Sequence, residues 1–252
     1  ILEIIEKKKK KYVGKLNIFN NFVFVNQLNT NVFIPKIFLK NACHNDKVII
    51  NITNWPNNSN YPYGKIIEIL GKTGKYKTEI YAILAELGIY TTYHNFPKKV
   101  EYEAQNIISN ISWKNEINSR IDMRDVNTFT IDPIDAKDFD DAISLRKLPN
   151  NNWELGIHIA DVTFFVKKNS FLDKEAYKRA NSIYLINHVI PMLPEILSNK
   201  FCSLRENEDK LSFSVIFEIN DNAQILKSWF GKTIIRSNKQ FSYEEVQKII
   251  YY

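Results

Sequence analysis

The chain has 252 residues, of which 44% are hydrophobic and 25% charged, with a formal net charge of +6. That composition is ordinary for a globular protein of one or two domains. No apolar run reaches the roughly 18 residues of a membrane-spanning helix. Cys43 and Cys202, the two cysteines, are too far apart in sequence to suggest a disulfide framework, so a reducing, cytoplasmic setting is expected. Asn, Ile and Lys are abundant and Gly is scarce, so part of the basicity reflects compositional bias and is weak evidence for RNA binding. The chain begins at Ile1, shows no signal peptide, and is expected to have its true N-terminus further upstream.

In chain order, Ile1 to Ile5 reads as the last strand of a preceding unit, and Lys7 to Lys11 as a basic connector. Short strands are expected at Tyr12–Phe19, Phe22–Val25, Val32–Pro35, Val48–Thr53 and Gly64–Leu70, with a loop at Asn57–Asn60. Strands this short and closely spaced suggest a small barrel. Phe22, Phe24 and Phe33 with nearby lysines provide what a single-strand-binding OB-fold uses, although strand alternation sends some of the phenylalanines into the core. Glu79–Leu87 reads as a helix, followed by a linker near His94–Lys99. Ala104, Ile107, Ile108 and Ile111 fall on one face of an amphipathic helix spanning about 100–119.

The densest chemical signal follows. From Asp132 to Asp141, five carboxylates (Asp132, Asp135, Asp138, Asp140 and Asp141) fall within ten residues. Two carboxylates about 4 Å apart repel by roughly 1 kcal/mol in water and by several-fold more in a partly dry cleft. The cluster is therefore either spread through solvent or gathered around a cation. Strand patterns at Thr128–Ile131, Ala142–Leu148 and Trp153–Ala160 frame it as a short loop, with Pro133 fixing the first bend. In an extended loop Asp138 and Asp140 face one way and Asp141 the other, while Asp132 enters from the preceding strand end. A calcium-loop pattern fails, because counting from Asp132 puts Ile134, Ala136, Lys137 and Ile143 where ligands or glycine belong. Lone cysteines and scattered histidines argue against zinc. Mg²⁺ or Mn²⁺ clamping a phosphate is left, with a solvated acidic turn as the alternative.

Further on, Leu172–Ala180 reads as a helix, Leu211–Ile219 as a strand, 224–236 as one or two strands, and Tyr243–Tyr252 as a helix, giving an α+β chain. His158 and Asp161 lie at a strand end beside the acidic loop, and His158 is expected to be structural. Arg205, Glu206, Glu208 and Asp209 read as an ion-pair network supporting the site, and Cys202 as a small packed residue.

Asp132-Pro-x-Asp-Ala-Lys-Asp138-Phe-Asp140-Asp141-Ala resembles the catalytic signature of the ribonuclease II / ribonuclease R exoribonucleases, the RNB family. Blocks matching in order are Gly156-Ile-His158-Ile-Ala-Asp161-Val, Leu172-Asp-Lys-Glu-Ala, Tyr184-Leu, Ile190-Pro-Met-Leu-Pro194, Leu197-Ser-Asn, Cys202-Ser-Leu-Arg205-Glu-Asn-Glu208-Asp209-Lys-Leu and Phe213-Ser-Val. The Asp-Ala-Lys-Asp-Phe-Asp-Asp form leans toward ribonuclease R. The resemblance implies the end of a preceding cold-shock domain at 1–10, a cold-shock/OB-fold RNA-binding domain at 11–90, a linker and helix at 91–119, and the N-terminal part of an RNB catalytic domain of mixed α/β structure at 120–252. It implies Mg²⁺-assisted 3′→5′ hydrolysis of single-stranded RNA to nucleoside 5′-monophosphates by a monomer, with Mn²⁺ as a substitute ion. Asp132, Asp138, Asp140 and Asp141 match the metal-holding catalytic aspartates. Tyr184 matches an aromatic that stacks near the 3′ end, and Tyr243 one that contacts ribose.

The departures are also specific. The family's Gly-Phe-Gly-Phe-Val is Asn21-Phe22-Val23-Phe24-Val25 here, and a family histidine is Phe164. The chain stops inside the family's catalytic domain, so as given it is expected to be poorly active alone. A non-catalytic RNA-binding cold-shock module and an endonuclease are the competing readings.

Overall fold

The computed structural model describes residues 11–19, 23–27, 30–89, 95–186 and 188–251. Phe22, the strand expected at Ile1–Ile5 and His94, where the linker was expected to begin, lie outside them. Two compact units divide the chain, Ile1–His94 and Asn95–Tyr252.

The first unit is a closed five-stranded barrel of order β1-β2-β3-β5-β4. Its strands are β1 (Tyr12–Ile18), β2 (Val23–Gln27), β3 (Thr30–Phe33), β4 (Asp46–Asn54) and β5 (Tyr63–Lys72), followed by helix α1 (Tyr76–Glu86). Branched side chains at alternate positions fill the interior: Leu16, Val23, Val25, Val32, Val48, Ile50 and Ile66 are all buried. Ile49, on the opposite side of β4, packs against Ala82 and Ala85 of α1, so this strand is buried on both faces. Val23, which stands where the family has the second of its two glycines, points inward, as does Val25. The replacement therefore adds core volume and leaves Phe24 between them on the outer surface.

The second unit begins with α2 (Lys98–Ser109) and α3 (Trp113–Asn118), two helices where the periodicity predicted one. The break falls at Asn110-Ile111-Ser112. There the Asn110 side chain turns back to donate to the Asn106 carbonyl (2.8 Å), a local bond that competes with helix propagation. The rest is built on a seven-stranded sheet of order β14-β7-β8-β9-β12-β13-β6. The strands are β6 (Ile121–Asp122), β7 (Thr128–Asp132), β8 (Asp141–Lys147), β9 (Trp153–Ala160), β12 (Asp209–Ile219), β13 (Ile225–Arg236) and β14 (Lys239–Ser242), with a separate hairpin β10 (Ile183–Leu185) and β11 (His188–Ile190). Helices α4 (Val162–Phe165), α5 (Phe171–Arg179) and α6 (Tyr243–Tyr251) complete the unit. Ser170 caps α5 by accepting from the Asp173 amide (3.0 Å), and the Asp173 carboxylate accepts from the Asn169 amide (2.7 Å).

The core joins Val100 and Ala104 of α2, Phe165, Leu172 and Leu197 to Leu204, Leu211 and Ile235. Inside the sheet runs a buried polar chain. His158 bonds Ser214 (2.6 Å) through Nδ1 and Ser144 (2.8 Å) through Nε2, and Thr233 bonds Ser212 (2.7 Å). Gly156 is required beside it, since a Cβ there would stand 2.3 Å from the Ser144 hydroxyl and 2.7 Å from His158 Nε2. Burial holds the imidazole neutral, with its pKa down from 6.5 to about 4. Because the folded-state pKa lies below the unfolded one, this contribution to stability is complete above pH 6.5 and is lost as pH falls toward 4. At 1.36 kcal/mol per unit the loss is at most about 3 kcal/mol. Urea unfolding of wild type and His158→Gln at pH 7, 5 and 4 is expected to show the gap between them narrowing with acid. A constant gap would contradict the assignment.

Candidate active site

The acidic loop runs from Asp132, the last residue of β7, to Asp141, the first of β8. It opens with a turn closed by the Ala136 amide on the Pro133 carbonyl (3.0 Å). Phe139 is buried in the core cluster, so Asp138 and Asp140, on either side of it, are directed away from the core. The backbone around Phe139 is pinned from a distant segment. The Ser203 hydroxyl donates to the Lys137 carbonyl (2.9 Å) and accepts from the Phe139 amide (3.0 Å), while the Leu204 amide donates to the Phe139 carbonyl (2.9 Å). The Ala160 amide of β9 holds the Asp140 carbonyl (2.9 Å).

The four aspartates act on one another electrostatically. Burial, then repulsion from Asp141 and Asp138, raises the pKa of Asp132. Its Oδ2 is buried without a hydrogen-bond partner among the described residues. Asp140 is raised by the protein crowding around it, then by Asp138, Asp141 and Asp132. Asp140 also has an open face to solvent, which screens that repulsion. Asp141 thus repels both neighbours from the first position of β8, whereas simple alternation predicted that it would face away. Asp135 is exposed on the outer turn.

An orphaned buried carboxylate oxygen, mutual repulsion and an all-oxygen donor set fit a hard divalent cation. Among the described residues no group of three His, Cys, Asp or Glu side chains is already drawn together around one point. Ligation therefore requires the carboxylates to close inward by side-chain rotation.

Tyr184, on hairpin β10–β11, donates its hydroxyl to Asp138 Oδ2. That bond, followed by burial, pushes the phenol up to about 12, while the residue as a whole is 63% exposed. The hairpin is tied down by Arg179, whose guanidinium donates to the Pro191 carbonyl (3.0 Å) and the Asn95 carbonyl (3.1 Å) and stacks 3.7 Å from the Phe96 ring centroid. Tyr243 is exposed at the start of α6, one residue after Ser242, which pairs with Asp132 across parallel strands β14 and β7. The same sheet edge thus carries Tyr243 and one end of the acidic loop.

His158 is fully buried, with no surface open to a ligand. Asp161 pairs with Arg120 (2.8 Å), both side chains being almost wholly buried. Arg205 makes a long, exposed pair with Glu208 (3.6 Å), and Cys202 is packed, its thiol pushed up to about 12 by burial. Arg120, Arg179 and Ser203 carried no sequence signal of their roles.

On the barrel, Phe24 pairs edge-to-face with Phe33 (5.7 Å between centroids) and Tyr61 (5.3 Å), and Phe33 with Tyr63 (5.0 Å). This row crosses β2, β3 and the start of β5 and includes the exposed Tyr61, two residues beyond what the phenylalanine pattern showed.

Residues 25–94 match the family model of the cold shock domain, and residues 120–251, more than half of the chain, match that of the RNB domain. DIS3-like exonuclease 2 of Xenopus tropicalis is 42% identical over 209 residues, 82% of this chain and 24% of its own length. Ribonuclease R of Thermotoga maritima is 36% identical over an alignment covering 99% of this chain and 36% of the relative. The solved structure described as Mycoplasma genitalium RNase R in complex with double-stranded RNA superimposes with a TM-score of 0.89 at 25% identity, covering 100% of this chain and 44% of that one. The chain thus spans 24% to 44% of the length of these three proteins. With an OB-type barrel, a sheet that mounts the aspartate loop, and the RNB model matching that sheet from end to end, the chain belongs to the RNB-domain family.

Proposed function

We propose that this chain is part of a 3′→5′ exoribonuclease that hydrolyses single-stranded RNA with Mg²⁺, Mn²⁺ serving as a substitute. In this reading 11–90 is the RNA-binding barrel and 120–252 the first part of the catalytic domain. The supporting observation is the acidic loop itself. Four mutually repelling aspartates, one with an orphaned buried oxygen, sit on a backbone pinned at Lys137, Phe139 and Asp140. A divalent cation bound among them would offset that repulsion.

Asp132, Asp138, Asp140 and Asp141 would hold the ion, which when bound supplies charge neutralisation at the phosphate and a lowered pKa for attacking water. The exposed ring of Tyr184 offers a stacking face to a terminal base, and stacking tolerates any sequence. For that role its hydroxyl must leave Asp138 or pivot about it. Tyr243 is assigned to the ribose. Phe24, with Phe33, Tyr61 and Tyr63, and with Phe22 by sequence position, provides a stacking row on the barrel.

The assay uses 5′-labelled single-stranded RNA with Mg²⁺, run on the 252-residue chain and on any longer product of the same reading frame. Stepwise shortening from the 3′ end with release of nucleoside 5′-monophosphates is the expected pattern. Internal fragments would replace this reading with an endonuclease. RNA that is bound and left intact by every form of the protein would replace it with a binding module.

A further inference from the structure

We propose that the groove on the reverse side of the acidic loop is a second site, one that binds a nucleoside 5′-phosphate independently of the four aspartates. The recess has a volume of about 610 Å³, and one wall is the loop segment from Ala136 to Phe139. That volume is within the range of small-ligand sites. Three cations, Lys137, Lys200 and Arg205, line it against a single carboxylate, Glu195. Lys137 and Lys200 form no ion pair among the described residues, and Arg205 has only its 3.6 Å pair with Glu208. Lysines on a flat surface are satisfied by water. Three cations sharing a recess repel one another, and an anion that enters gains from all of them at once.

The other lining residues narrow the anion. Phe139 and Ile196 supply apolar wall, and the amides of Asn199 and Gln240 can both donate and accept. A bare inorganic anion uses neither feature, whereas a nucleoside phosphate presents a dianionic group, an apolar ring face and polar base edges. The acidic loop therefore separates two opposite electrostatic environments: aspartates on one side, and cations on the other.

The proposal goes beyond RNA hydrolysis and stands whether or not the loop catalyses it. The test is titration of AMP into the metal-free chain in EDTA by isothermal calorimetry, with adenosine and inorganic phosphate as parallel probes. Wild type is expected to bind AMP at least tenfold more tightly than either parallel probe. Lys200→Ala/Arg205→Ala is expected to weaken AMP binding about tenfold or more, since it removes two charge-assisted contacts. Glu195→Gln removes the opposing charge and is expected to tighten binding about threefold, a gain that misfolding cannot imitate. Asp140→Asn is expected to leave AMP binding unchanged. Equal binding by wild type and the double variant, or loss of binding in Asp140→Asn, overturns the proposal, because the nucleotide then sits elsewhere or on the aspartates. Adenosine or phosphate binding as tightly as AMP overturns the assignment of a nucleoside phosphate. Mn²⁺ binding retained by the double variant, read by EPR, shows that the loop in that variant is intact. Failure of the hydrolysis assay would leave all of these titrations unaffected.

Discussion

Asp140→Asn is expected to lower hydrolysis of single-stranded RNA by about 10²–10³-fold, the loss typical when one preorganised electrostatic group is removed from a reacting centre. The change keeps the shape of the side chain and removes its charge. Asp140 lies between the core-anchored Phe139 and the first residue of β8, and its backbone carbonyl is held by Ala160. The backbone is thus expected to stay in place, and RNA affinity in a gel-shift assay to stay within about threefold of wild type. Asparagine also relieves the repulsion that Asp140 exchanges with Asp132, Asp138 and Asp141. Thermal stability without metal is therefore expected to rise slightly, while Mn²⁺ affinity measured by EPR falls. A variant that hydrolyses RNA at the wild-type rate, or that binds Mn²⁺ as before, would remove the acidic loop from the chemistry.

Asp161→Ala is expected to destabilise the second unit by about 3–5 kcal/mol, because it leaves a buried guanidinium with only the longer, partly exposed pair to Glu116. The Arg120 side chain is wholly buried and that of Asp161 is 2% exposed, at 2.8 Å. The remaining contacts of Arg120 are weaker. They are the Glu116 carboxylate at 3.3 Å, the Ser212 carbonyl at 3.3 Å, the Thr233 carbonyl at 3.5 Å and the face of Phe164 at 5.5 Å, while its Nε finds no partner among the described residues. Phe164 thus packs on the cation in the position where the family has a histidine. Denaturant unfolding of the single variant and of Arg120→Met/Asp161→Leu separates the pair from the backbone. Recovery of more than half of the loss in the double variant is the expected result, since two apolar groups leave no charge stranded. Equal loss in both variants would assign the effect to the turn at Asp161.

Strands with a clear period of two were legible from sequence. β9 occupies Trp153–Ala160 as expected, and the alternation of Leu211–Ile219 placed most of β12. The barrel was legible for the same reason, because a closed sheet must bury every second side chain. The break between α2 and α3 was not, since it depends on a polar side chain choosing a backbone acceptor over the next helical turn. Nor was the hairpin β10–β11, whose three-residue strands are too short to show a period. The acidic loop announced itself through charge density, but what mounts it did not. Ser203 acts on Phe139 across 64 residues and Arg120 on Asp161 across 41, and neither belongs to a spacing pattern. Such roles are set by tertiary contact and leave a lone serine or arginine looking like any other.

The long reach of the Ser203 clamp bears on the order of folding. The aspartates cannot adopt their arrangement until a segment more than sixty residues downstream has docked beneath them. Strand pairing between neighbours such as β8 and β9 needs no such closure and forms at lower entropic cost. Cation uptake should accordingly lag behind the appearance of β-structure in a refolding experiment. On the proposed function, a growing chain would then stay harmless to nearby RNA until its own interior is complete.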